Sequence, residues 1–180
     1  MDEGLEEAAL RVLDRKAGLQ DVFVEQLFTF GEPARDPRTR VISVAYYALV
    51  DPARVEASAQ DGRRLAPLAV EWEELEGEPV GALDEEDRPL PLAFDHARIL
   101  GTAVARLRGK LDYAPIGFEL LPDTFTLRQL QAVHEAVLGR AVNKDSFRRR
   151  MLASGQLQAT GEREHDVVHR PAELYRFIRI

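Results

Sequence analysis

The sequence predicts an α+β protein in two parts: a mixed sheet with helices, then a small domain of two capped helices and a β-hairpin. Three observations predict it. Residues 41–50 (VISVAYYALV) are β-branched, aromatic and nearly all apolar, the pattern of a strand buried on both faces. Apolar residues recur at helical spacing over 5–16 and 95–109. Past Glu119, helix start and stop signals come in quick succession, and two short strand-like runs around a polar turn end the chain. The expected domains are therefore 1–118 and 119–180.

Taken in order, residues 5–16 read as a helix with Leu5, Ala8, Ala9, Val12 and Leu13 on one side, ended by Gly18. Residues 22–30 are strand-like. Residues 31–40 carry two Pro, a Gly and alternating charges, which makes a loop. After the apolar strand, 51–65 is a polar, irregular connection. Residues 69–74 form a short strand holding Trp72, and 77–91, acidic and Pro-bearing, form a loop. In the helix at 95–109, Ile99, Leu100, Ala103, Val104 and Leu107 share a side. Residues 109–122 are an irregular hinge around the apolar stretch 116–121. Thr126-Leu127-Arg128-Gln129 is a capping box, followed by a buried stripe of Leu127, Leu130, Val133, Val137 and Leu138 and closed by Gly139. Asn143 caps a second helix over 144–154, closed by Gly155, and strands follow at 157–160 and 173–178. Helix, short turn, helix and hairpin is the plan of a winged helix-turn-helix.

Composition narrows the function classes. The hydrophobic share of 45% supports a packed core. There is no Cys, hence no disulfide framework and no thiolate metal site. No apolar run approaches the ~20 residues that span a bilayer. The acidic start, Met-Asp-Glu-Gly-Leu-Glu-Glu, lacks the basic and apolar regions of a signal peptide, so a cytoplasmic location is expected. The net charge of −7 is uneven: residues 119–180 hold 10 Lys/Arg against 8 Asp/Glu, a balance of +2, and the rest carries −9. Only the C-terminal third has electrostatics compatible with a phosphate backbone.

The candidate DNA contacts follow from the second capped helix. Phe147 and Met151, four apart, face the core, so Lys144, Arg148 and Arg149 point mostly outward with Ser146 at the edge. Arg can pair with guanine O6 and N7 in a major groove. The plainer alternative is an ordinary basic helix face. In the hairpin turn, Glu162, Glu164 and Asp166 would oppose DNA, which leaves Arg170 as the better phosphate contact. His165 and His169 are four apart in a turn rather than a helix and have no Cys nearby, so no metal site is expected. In the first domain, Arg35, Arg38 and Arg40, around Asp36, offer forked donors to a diphosphate. The alternative there is a solvated charged loop.

The segment from Glu3 to Leu19 resembles the Nudix box, G-x5-E-x7-R-E-U-x-E-E-x-G-U, where U is a bulky aliphatic. Glu3, Arg11, Leu13, Gly18 and Leu19 match at the right spacing. The box's three metal-binding glutamates fall on Val12, Arg15 and Lys16, a face that cannot hold Mg2+ in the family's manner. Without the resemblance, the same residues read as an amphipathic helix. FTFGEPARDPRTRVISVAYYALV (28–50) resembles the segment after the box in Nudix proteins of the ADP-ribose type. FDHARIL, LRGKLDYAPIGFELLP, FTLRQLQAVHEAVLGR, NKDSFRRRML and HRPAELYRF make the remainder similar to Nudix-related transcriptional regulators of the NrtR type.

The resemblance implies a partial Nudix-like effector and dimerisation domain ahead of a winged helix, with no catalytic residue, metal or cofactor. It implies a homodimeric repressor on double-stranded, palindromic operators, controlling NAD metabolism and released by a nucleotide effector such as ADP-ribose. Arg35, Arg38 and Arg40 are the effector contacts it suggests. The box's first Gly and the family's upstream strands would precede Met1, so a late start codon, a fragment or a reduced domain is expected. A Nudix hydrolase of nucleoside diphosphate derivatives is the alternative function.

Overall fold

In the computed structural model, residues 2–57, 65–71, 77–111, 113–165, 167–168 and 170–178 are described. The chain divides into two units, 1–112 and 113–180. The division falls ahead of Glu119 because the 3-10 helix Pro115–Leu120 belongs to the second unit's core, where Phe118 stacks on Phe177 at 4.4 Å.

In the first unit, helix α1 (Leu5–Ala17) starts where the Gly4 N–H donates to the Glu7 carboxylate at 2.8 Å. It ends at Gly18, whose φ of 63° is the left-handed conformation that closes helices. Ala8, Ala9 and Leu13 are half-buried as expected, but Leu5 and Val12 are exposed and Leu10 is half-buried instead. Strands β1 (Phe23–Phe30) and β2 (Ser43–Leu49) pair antiparallel, with a bulge between Gln26 and Phe28. The expectation that β2 is buried on both faces fails: in this two-stranded ribbon only its Leu49 is fully buried.

A short helix, α2 (Pro52–Ala57), opens the connection expected to be irregular. Strand β3 (Leu68–Ala69) stands where 69–74 was expected; Trp72 lies outside the described residues. The acidic stretch expected to be a loop contains strands β4 (Gly81–Leu83) and β5 (Pro89–Leu90), which complete a three-stranded sheet with β3. The Asp84 carboxylate makes the turn, accepting from the N–H groups of Glu86 and Arg88 at 3.0 and 2.9 Å and from Arg88 Nε at 2.8 Å. Helix α3 (His96–Lys110) lies against β1 and against the 77–80 backbone, where the Val80 N–H donates to the Ala97 carbonyl at 2.9 Å. Its Arg106 donates to the carbonyl of Leu27, the bulge residue, and Lys110 holds Glu25 of β1 at 2.6 Å. Its Gly101 abuts backbone: a Cβ there would sit 2.0 Å from the Glu78 carbonyl oxygen.

In the second unit, α4 (Leu127–Leu138) carries the expected capping box. The Gln129 N–H donates to Thr126 Oγ1 at 3.2 Å, and the Thr126 N–H donates to Gln129 Oε1 at 2.7 Å. Its buried side is Leu127, Leu130 and His134, with Val133, Val137 and Leu138 only half-buried. His134 fills the expected apolar stripe by meeting Phe147 edge-on at 4.9 Å. Helix α5 (Lys144–Ala153) begins where the Ser146 N–H donates to Asn143 Oδ1 at 3.0 Å. Strands β6 (Leu157–Arg163) and β7 (Glu173–Phe177) form the hairpin, and Phe125 makes a single antiparallel bridge to Tyr175. The core joins Phe118, Phe125, Leu127, Leu130, Phe147, Met151 and Tyr175. Among the described residues, no helix is long and apolar enough to cross a membrane.

Candidate nucleic-acid interface

Burial of Phe147 and Met151 fixes how α5 is turned. The turn before it is clamped by Glu135, whose carboxylate accepts from the Val142 N–H at 2.9 Å and from Gln131 Nε2 at 3.0 Å. The Val142 N–H holds the Glu135 pKa down, with Gln131 assisting. Ser146, Arg149, Arg150 and Ala153 then share a shallow concavity on the outer side of α5. Lys144 is exposed on the first turn. Arg148 is exposed, and its charge works against the raised pKa of Tyr175 on β7. Arg150 was passed over in the sequence; its guanidinium covers the edge of the site, 5.7 Å from the Phe147 ring. Three consecutive arginines are the signal that could have included it.

The hairpin is tied at the end nearest its turn. The Ala172 N–H donates to Glu164 Oε2 at 3.1 Å, the Glu164 N–H donates to the Ala172 carbonyl, and Arg163 donates to the Pro171 carbonyl. The Glu164 carboxylate is thus engaged within the hairpin. Arg170 is exposed; Asp166 and His169 lie outside the described residues.

The first unit keeps the frame of the Nudix-like box without its carboxylates. Arg11 donates from Nε to Glu3 Oε2 at 2.9 Å and from Nη2 to Glu3 Oε1. This bond to Arg11 holds the Glu3 carboxyl below its usual range. Val12, Arg15 and Lys16 stand exposed on α1. Among the described residues, no group of three or more His, Cys, Asp or Glu is placed to hold a metal ion.

The three loop arginines have separate surroundings. Arg35 has only 8% of its side chain exposed and forks onto Asp95 at 2.8 and 2.9 Å, while its Nη1 reaches Ser43 Oγ. Arg38 forks onto Asp36 at 3.0 and 2.8 Å and lies 4.9 Å from the exposed Phe94 ring. The Arg38 side chain, then its backbone N–H, lower the Asp36 pKa to about 2. Arg40 donates to the Gly31 carbonyl. Arg35 is thus spent on tying the loop to the start of α3, while Arg38 and Arg40 stay on the exposed side.

Residues 117–177 match the NrtR DNA-binding winged helix domain. Over 176 residues the chain is 35% identical to the ADPR responsive transcriptional repressor NtrR of Acinetobacter baylyi; the match covers 98% of this chain and 64% of that protein. The crystal structure of Shewanella oneidensis NrtR superposes with a TM-score of 0.74 at 33% identity, covering 98% of this chain and 74% of that one. The same protein complexed with a 27mer DNA gives 0.74 at 32% identity, with the same coverage. A MutT/nudix family protein from Enterococcus faecalis shares the fold, with a TM-score of 0.72 at 24% identity over 99% of this chain and 71% of that one. The Nudix-like first unit, the matched winged helix and identity sustained along a solved NrtR lead to one conclusion: this chain belongs to the NrtR family.

Proposed function

We propose that the protein is a cytoplasmic, DNA-binding transcriptional repressor whose Nudix-like unit senses a nucleotide rather than hydrolysing one. The observation that carries this is the exposed basic side of α5, Lys144, Ser146, Arg148 and Arg149, within a winged helix of the NrtR type. Arg170 on the hairpin adds a phosphate contact. The first part, 1–118, serves effector binding and dimerisation, and 119–180 serves DNA. Two protomers place two α5 helices on half-sites about 34–36 Å apart or a multiple of that. ADP-ribose is the proposed effector and genes of NAD metabolism the proposed targets; the Acinetobacter relative's name supports the first. Arg38 and Arg40, although they hold Asp36 and the Gly31 carbonyl, are exposed and are the better placed diphosphate contacts, since Arg35 is almost wholly buried against Asp95.

The absence of hydrolysis is part of the reading. Val12, Arg15 and Lys16 replace three anionic ligands with one neutral and two positive side chains, which repel a divalent cation. The test has three arms. The protein selects duplexes from a random 27-base-pair library, ADP-ribose is titrated into the complexes, and hydrolysis of ADP-ribose is assayed with Mg2+ or Mn2+. Sequence-selective binding by a dimer, release by ADP-ribose and no turnover are expected. Failure to prefer any sequence over random DNA refutes the repressor reading. Turnover near the ~10 per second of a median enzyme revives the hydrolase alternative.

A further inference from the structure

Resting on the DNA-binding reading, we propose that Arg150, rather than Arg148, joins Arg149 in holding DNA, which seats on the flank of α5 formed by Ser146, Arg149, Arg150 and Ala153. The buried side chains Phe147 and Met151 set the direction of the core. Each residue of an α-helix advances about 100° round the axis. Measured from Phe147, Met151 lies at about 40° and Arg149 at about 200°, opposite the core. Ala153 follows at about 240°, Ser146 at about 260° and Arg150 at about 300°. The other flank carries Arg148 at about 100°, Leu152 at about 140° and Asp145 at about 160°.

The two flanks differ in shape and in charge. On the first, two arginines bracket a hydroxyl and a methyl group, and the four residues line one shallow concavity. On the second, Arg148 shares the surface with the Asp145 carboxylate and with Leu152, which is 44% exposed. A carboxylate repels phosphate, and a leucine keeps a base edge farther from the helix than an alanine does. Arg150 is also positioned. Its guanidinium lies 5.7 Å from the centroid of the Phe147 ring, which is fixed by burial and by its edge-on contact with His134. A cation over an aromatic ring is attracted to the π electrons without spending an N–H on the contact. Held there, the guanidinium marks the rim of the concavity, a place for a phosphate. The floor of Ser146 and Ala153 admits a base edge, which leaves base reading to Arg149.

The test compares variants of the intact chain by fluorescence anisotropy, on duplexes the wild type selects from the random library and on random duplexes, from about 50 to 200 mM salt. Arg150→Ala should weaken both DNAs alike, by about threefold or more, and flatten the salt slope by about one unit, as loss of a phosphate contact does. Arg148→Ala should change affinity by less than about twofold. Ala153→Leu fills the floor of the concavity with a good helix former; it should weaken selected DNA by about fivefold or more at an unchanged melting temperature. Arg150→Gln removes the charge and keeps most of the side chain. It should lose as much as Arg150→Ala, and it decides the question where Arg150→Ala melts early. A larger loss from Arg148→Ala than from the Arg150 variants overturns the proposal, and so does wild-type binding by Ala153→Leu. A wild type that selects no duplex sinks the DNA-binding reading and this proposal together. Selection that survives both Arg150 variants and Ala153→Leu unchanged sinks this proposal alone.

Discussion

Arg149→Ala is the sharpest perturbation of the reading face. Arg149 is exposed on α5 and lines the outer concavity with Ser146, Arg150 and Ala153. Truncating an exposed side chain away from core and caps changes stability by no more than about 0.5 kcal/mol. Thermal unfolding should therefore match the wild type, and a change in affinity reports on DNA alone. An arginine that reads a guanine through two hydrogen bonds is worth about 1–3 kcal/mol on its preferred base pair. At 25 °C that is a loss of about 5- to 150-fold per half-site. Specificity should relax at one base-pair position, because random DNA lacks the matched guanine. The assay is anisotropy on selected and random duplexes from about 50 to 200 mM salt. Equal weakening on both DNAs, with the salt slope flatter by about one unit, would make Arg149 a phosphate contact. Unchanged affinity for both would remove α5 from the interface.

Gly101→Ala tests the packing under the first unit. The added Cβ would lie 2.0 Å from the Glu78 oxygen, against an ordinary carbon–oxygen contact of about 3.3 Å. The 77–80 backbone must move away, straining the bond from the Val80 N–H to the Ala97 carbonyl. Overpacking of about 1–3 kcal/mol should exceed the ~1 kcal/mol that Ala gains over Gly in a helix, and urea midpoints should fall; a rise contradicts this. The Arg35–Asp95 pair predicts a pH dependence. Asp95 is held below its usual pKa by Arg35, so its stabilisation is present above the ordinary carboxylate value near ~3.9 and is lost as pH falls through the lower folded value. The stability gap between wild type and Asp95→Asn should close on acidification below about pH 4; a gap that widens there would be inconsistent with the pair. On α1, Arg15→Glu with Lys16→Glu should lower thermal stability, and an unchanged melting temperature would refute a favourable interaction of Arg15 and Lys16 with the last-turn carbonyls.

The parts of the fold legible in the sequence were those set by neighbours along the chain. The Thr126–Gln129 box, the Asn143 cap and the closing Gly18 and Gly139 are interactions within a few residues, and each formed as expected. The burial of Phe147 and Met151 needed only helical spacing. Features set by distant partners were not legible. The pairing of Arg35 with Asp95, 60 residues on, leaves no trace in the local pattern. The β4–β5 hairpin was hidden because a single carboxylate, Asp84, organises a stretch whose composition reads as loop. His134 was left out of the buried stripe because an apolar pattern skips a polar ring that packs against Phe147.

The two halves of the Nudix-like box bear on different physics, which explains how one can persist without the other. The Glu3–Arg11 fork and the left-handed Gly18 hold the ends of α1 and carry Leu19 into the core. None of these groups needs a metal ion. The metal-facing positions lie in and just before the last turn, where helix carbonyls leave partial negative charge. Glutamates there repel that end of the helix and one another, a cost that a bound divalent cation offsets. Once no cation is held, the balance reverses: Arg15 and Lys16 in the last turn each gain about 0.3–1 kcal/mol from the same carbonyls, as Glu6 and Glu7 do from the N–H groups at the other end. Val12, 37% exposed, adds no charge to be compensated. The substitutions that argue against hydrolysis thus stabilise α1 as a purely structural helix. On the proposed reading, such a unit keeps the fold, and with it an exposed Arg38 and Arg40, to bind a nucleotide without cleaving it.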